Sequence, residues 1–150
     1  MIIGYILDIY GPVEEKFKYE FLSKIKNEPN INYYGLLKQG EILKVLNKYD
    51  ALLFPTYYKG EGFPGTILEA YMAGLPVIAS NWKYNTEIIE DGRTGMICET
   101  KSVESIVEKI LDMNKNIEKY QNMSINCKEI SDMYTEEKIT QILFKVLSVE

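Results

Sequence analysis

The chain has 150 residues, 46% of them hydrophobic and 12% aromatic, which is enough to bury one core and suits a single domain over 1–150. Its 17 Lys and Arg against 22 Asp and Glu leave a formal net charge of -5, and no segment gathers the basic residues into the stripe that a phosphate backbone requires, which argues against nucleic acid as a partner. The absence of histidine removes the commonest general base and the usual zinc ligand, and with them triad hydrolases and most catalytic zinc enzymes.

The first residues, MIIGYIL, lack the cationic start and cleavage site of a signal peptide, and no apolar run downstream approaches the roughly 20 residues that span a bilayer. A soluble, cytoplasmic protein is expected. YILDIYGP predicts a buried strand over 5–10 that stops at Gly-Pro. Phe17, Phe21, Leu22 and Ile25 then recur at helical spacing, and the run ends before Asn30. A short strand over 31–34 is closed by Gly35, and Ile42, Val45, Leu46 and Tyr49 form a second helical stripe. The apolar strand 51–54 ends at Pro55. A helix over about 66–72 has Gly74 as its stop, and is followed by a strand over 76–79, a short helix around 86–89 and a turn at Asp91-Gly92. After a last strand, 95–98, the pattern is helical only.

Val103, Ile106, Val107, Ile110 and Leu111 make one late stripe, and Ile139, Ile142, Leu143, Val146 and Leu147 another. Both are expected to pack back on the sheet. The more polar stretch 115–131 between them reads as a surface helix, and the two cysteines, Cys98 and Cys127, as buried or idle thiols. Alternating helices and short apolar strands imply an α/β fold, a doubly wound, Rossmann-like parallel sheet with helices on both faces and a C-terminal helical segment. Ligands of such sheets bind outside the carboxyl ends of the strands, which selects the loops after Tyr10, Tyr34, Phe54 and Ala79.

One of those loops opens the stretch GEGFPGTILEAYMAGLPVIAS, from Gly60 to Ser80. Gly62 and Gly65 permit tight turning and close approach to a ligand, and 66–69 reads as a helix start whose first amides are unpaired, a setting that attracts phosphate. Glu61 lies before that helix and Glu69 one turn inside it, so both carboxylates can face one pocket. Thr66-x-x-Glu69 equally fits a capping box, in which Glu69 folds back on its own main chain, and spacing leaves the two readings open.

FPTYYKGEGFPGTILEAYMAGLPVIAS, continued by NWKYNTEIIEDGRTGMI, resembles the C-terminal, donor-binding domain of family 4 retaining glycosyltransferases, which have the two-domain GT-B architecture. The family signature is a pair of glutamates separated by seven residues, followed by Glu-Ala, a helix, Gly-x-Pro-Val, and later Glu-Ile and Asp-Gly-x-Thr-Gly, all in this order here. The resemblance implies transfer of a sugar from a UDP- or GDP-sugar with retained configuration and without a metal. It implies that Glu61 contacts sugar hydroxyls near the reacting carbon as the catalytic-site carboxylate, and that Glu69 accepts hydrogen bonds from the ribose. Gly65 and Thr66 would give backbone N–H groups to the diphosphate, Phe63 and Pro64 would lie beside the sugar, and Leu36 would mark the nucleobase position. No Asp-x-Asp sequence occurs, which disfavours the metal-dependent architecture.

The sequence also departs from the family. Pro64 stands where many relatives have glycine, and it has no N–H to offer the sugar. Residues 81–85 replace the usual paired glycines. The Arg and Lys that clamp the diphosphate in the family have no assignable match; Lys16 and Lys59 are candidates, and solvated surface charge is the simpler reading of each. Complete enzymes of this architecture have an N-terminal acceptor-binding domain, so the chain is expected to be inactive alone, with any peripheral membrane association left to that missing half. A non-catalytic nucleotide-sugar-binding or protein-interaction module is the alternative. A dinucleotide oxidoreductase is disfavoured because no Gly-x-Gly-x-x-Gly follows the first strand.

Overall fold

The computed structural model describes residues 4–147. The chain forms two compact units, one up to Ile42 and one from Leu43. In the first, strands β1 (Leu7–Tyr10) and β2 (Ile31–Gly35) pair in parallel through helix α1 (Glu15–Ile25). Asn32 Nδ2 donates to Asp8 Oδ1 at 2.8 Å, and Phe21 packs edge-on against Tyr33. The Tyr33 hydroxyl donates to Gly11 O at 2.8 Å and fixes the turn after β1.

The second unit holds a parallel ladder in the order β3 (Leu52–Phe54), β4 (Val77–Ser80), β5 (Gly95–Cys98). Helix α2 (Ile42–Leu46) leads into β3, α3 (Gly65–Met72) links β3 to β4, and α4 (Asn85–Ile88) links β4 to β5. Three further helices follow: α5 (Val103–Lys115), α6 (Ile117–Ser131) and α7 (Glu136–Leu147). All four residues of β4 are buried, and alternate side chains enter two cores. Val77 and Ala79 meet Ile67, Ala70 and Tyr71 of α3 with Cys127 and Ile130 of α6, while Ile78 meets Met96, Cys98 and Met113 of α5. This double burial is the α/β, Rossmann-like arrangement expected from short, wholly apolar strands.

Helix α3 ends in a left-handed glycine: Gly74 has φ +72, its N–H bonds Tyr71 O, and Leu75 N–H reaches back to Ala70 O at 2.8 Å. Two expectations need correction. Helix α6 is not a surface helix, because Met123, Cys127 and Ile130, at spacings of four and three, are buried against both cores. Conversely, α7 buries no residue; Ile142, Leu143, Val146 and Leu147 are each more than half exposed. The physical reason is shared: α3 and α6 cover one face of the ladder and α5 the other, so both faces are occupied before the chain reaches α7. Among the described residues, no helix is long and apolar enough to cross a membrane.

Candidate functional site

Helix α3 starts one residue earlier than its apolar pattern suggests. Pro64 is its N-cap, at φ -77 and ψ 99, and no side chain caps the end. The Pro64 carbonyl accepts Ile67 N–H at 3.0 Å, whereas the amides of Gly65 and Thr66 have no protein partner among the described residues. A Cβ at Gly65 would meet nothing within 4 Å, and Gly65 and Thr66 are both exposed. Unpaired N–H groups at the positive end of a helix dipole form an anion site.

Glu69 is half-buried, one turn inside α3, and its carboxylate has no hydrogen-bond or ion-pair partner among the described residues. With Pro64 as the N-cap, Thr66 is the second helical residue, and the capping box is out of register. Glu61 is also half-buried. Its Oε2 accepts from Thr56 Oγ1 at 3.0 Å, and Thr56 Oγ1 in turn accepts Tyr58 N–H at 3.2 Å. That chain of bonds orients the carboxylate and leaves Oε1 without a protein partner among the described residues.

Phe63 is exposed, with its ring tilted against Tyr134 at 5.9 Å, and the two line an open groove of about 420 Å³ with Tyr84, Glu87 and Ile88. Pro64 itself is buried and acts through the backbone it shapes. Glu61, Phe63, Pro64, Gly65, Thr66 and Glu69 are thus gathered around the start of one helix. Leu36 lies in the first unit, exposed just beyond β2, where the Tyr10 and Tyr34 rings stack at 5.1 Å. Lys16 is paired with Glu14 at 2.8 Å, and Arg93 with Glu90 at 2.6 Å. Thr56 and Tyr134 were not legible as site residues: the first needs the loop's hydrogen bonds, the second a contact between residues 71 positions apart.

The model of the family described as glycosyl transferases group 1 matches residues 1–130. The chain belongs to that family. Among its curated relatives is the N,N'-diacetylbacillosaminyl-diphospho-undecaprenol alpha-1,3-N-acetylgalactosaminyltransferase of Campylobacter jejuni, 27% identical over 80% of this chain and 31% of the relative. The chain spans less than half the length of the curated relatives it matches. Among solved structures, Anabaena HepE in complex with UDP-glucose superposes with a TM-score of 0.82 at 18% identity, over 97% of this chain and 41% of HepE. The C-terminal domain of a group 1 glycosyltransferase from Francisella tularensis (LpcC) superposes with a TM-score of 0.66 at 26% identity, over 83% of this chain and 64% of that one. The fold is that of the C-terminal domain of a GT-B glycosyltransferase.

Proposed function

We propose that this domain binds the nucleoside diphosphate sugar donor of a retaining glycosyl transfer at the start of α3. The observation that carries the reading is the pair of unpaired amides at Gly65 and Thr66 with an unpaired carboxylate, Glu69, one turn behind them. The amides take the diphosphate, whose charge grows as it leaves, so that a preorganised helix end favours the transition state over the ground state. Glu69 accepts from ribose hydroxyls. Glu61, oriented through Thr56, receives sugar hydroxyls on Oε1 and stands as a negative charge near the reacting carbon.

Phe63 forms the apolar side of the sugar position, and Pro64 withholds an N–H that glycine would give there. Family membership and the UDP-glucose complex of the structurally similar HepE support a nucleotide-sugar donor. On this reading, the acceptor is chosen by an N-terminal domain joined to this one, and transfer needs both.

Calorimetric titration with UDP, GDP, UDP-glucose and GDP-mannose, against NAD as a control, tests the reading. At least one uridine or guanosine ligand is expected to bind and NAD is not. Glu69→Gln should weaken the nucleotide by about 1.5–3 kcal/mol, the range for hydrogen bonds to charged groups. Equal affinity for NAD, or binding unaffected by that substitution, would overturn the assignment.

A further inference from the structure

The connection after β4 is fastened at both ends. Asn81 N–H donates to Cys98 O at 2.8 Å and Thr100 Oγ1 to Asn81 O at 2.7 Å, while buried Asn85 Nδ2 donates to Ser80 O at 3.0 Å. Asn85 N–H also reaches Trp82 O at 3.1 Å, which closes the turn on itself.

Three side chains, Ser80 at the end of β4 and Trp82 and Lys83 in this turn, cross to the backbone of the loop that carries Glu61. Ser80 Oγ donates to Thr56 O, the Trp82 indole N–H to Tyr58 O at 2.8 Å, and the Lys83 ammonium to Lys59 O, with Glu61 O 3.5 Å away. Four carbonyls of the loop, those of Thr56, Tyr58, Lys59 and Glu61, are therefore met in chain order by this one neighbour. Lys83 takes part at φ +46, a left-handed conformation that side chains with a Cβ rarely adopt and glycine adopts freely. The Lys83 ammonium ends on the loop.

We propose that Trp82 and Lys83 are positioning residues for Glu61. They hold the backbone of 56–61 so that the free Oε1 of Glu61 meets the donor's sugar, and they set the sugar's share of donor affinity separately from the nucleotide's share. The separation follows from the architecture: the amides of Gly65 and Thr66 and the Glu69 carboxylate belong to α3, whereas Glu61 hangs on the loop. This inference rests on the donor-binding reading above.

The test compares the wild type with Lys83→Gly, Lys83→Arg and Trp82→Phe in titrations with UDP, UDP-glucose, GDP and GDP-mannose. Glycine suits φ +46, so Lys83→Gly removes the ammonium without straining the turn. Lys83→Gly is expected to leave the bare nucleotide within about twofold and to weaken the sugar nucleotide about tenfold, as for loss of a charge-assisted positioning bond. Lys83→Arg should restore most of the difference, and Trp82→Phe should act in the same direction. Amide hydrogen exchange should quicken over 56–61 in Lys83→Gly and stay unchanged within α3. An equal loss for nucleotide and sugar nucleotide, or no loss for the sugar nucleotide, overturns the positioning role and leaves the donor-binding reading intact. A wild type that binds the sugar nucleotide no more tightly than the bare nucleotide overturns it as well. A wild type that binds neither overturns both.

Discussion

Tyr71 is among the largest fully buried side chains, and its hydroxyl lies 2.7 Å from Thr94 Oγ1 and 3.2 Å from Ile88 O. These bonds join α3 to the end of α4 and to the turn before β5 inside the core. Tyr71→Phe leaves the Ile88 carbonyl unpaired where water does not reach, and should cost about 1–2 kcal/mol in urea unfolding. Glu69 behaves differently. Because α3 is capped at Pro64 and not at Thr66, its carboxylate contributes nothing to the helix end. Glu69→Gln should leave unfolding stability within about 0.5 kcal/mol while nucleotide affinity falls, and a drop in stability of about 1 kcal/mol would restore the capping role. The sequence could not decide between those roles, because a shift of the helix start by two residues changes the partner of the same side chain. Thr56 was invisible for a related reason: its hydroxyl matters only once the loop folds it onto Glu61.

The strands of the second unit were legible at the scale of elements because three or four consecutive apolar residues between turn signals leave few alternatives, and 95–98 agrees with β5 residue for residue. The strand expected to be buried over 5–10 instead starts at Leu7 and buries no residue fully, because Asp8 interrupts its apolar run. The close approach within the sheet was not legible. A Cβ at Gly95 would stand 2.1 Å from the Val77 carbonyl oxygen, which is backbone and cannot swing away. Gly95→Ala should therefore separate β5 from β4 and cost more than about 4 kcal/mol, read as insoluble expression or as loss of cooperative unfolding. A variant that melts like the wild type would mean the pairing of Val77 with Gly95 is not as described. The two misread helices show what periodicity omits. Helix α6 buries only a thin stripe that includes a methionine and a cysteine, so its polar remainder dominated the pattern. Helix α7 has the broader apolar stripe, but a stripe states only that a helix has a greasy face and not whether a partner remains to cover it.

For the molecule as a whole, the buried weak acids set a pH dependence. Burial raises the Cys127 thiol from 9.0 to about 12, and desolvation also pushes the Tyr71 phenol and the Cys98 thiol upward. The folded state keeps these protons longer than the unfolded chain, so their contribution is fully present below about pH 9 and is lost as pH rises toward 12. Unfolding free energy should be flat between pH 7 and 8 and should then fall by about 1 kcal/mol per pH unit above pH 9, measured by denaturant titration. Stability that stays constant to pH 11 would show that these groups are not buried as described. The sequence by itself determined the α/β alternation, the glutamate pair and the family, because hydrophobic period and motif spacing are local along the chain. Only the tertiary structure decided which helix faces are covered, which residue caps α3, and what holds the Glu61 loop, because each depends on distant segments competing for the same sheet face or the same backbone carbonyls.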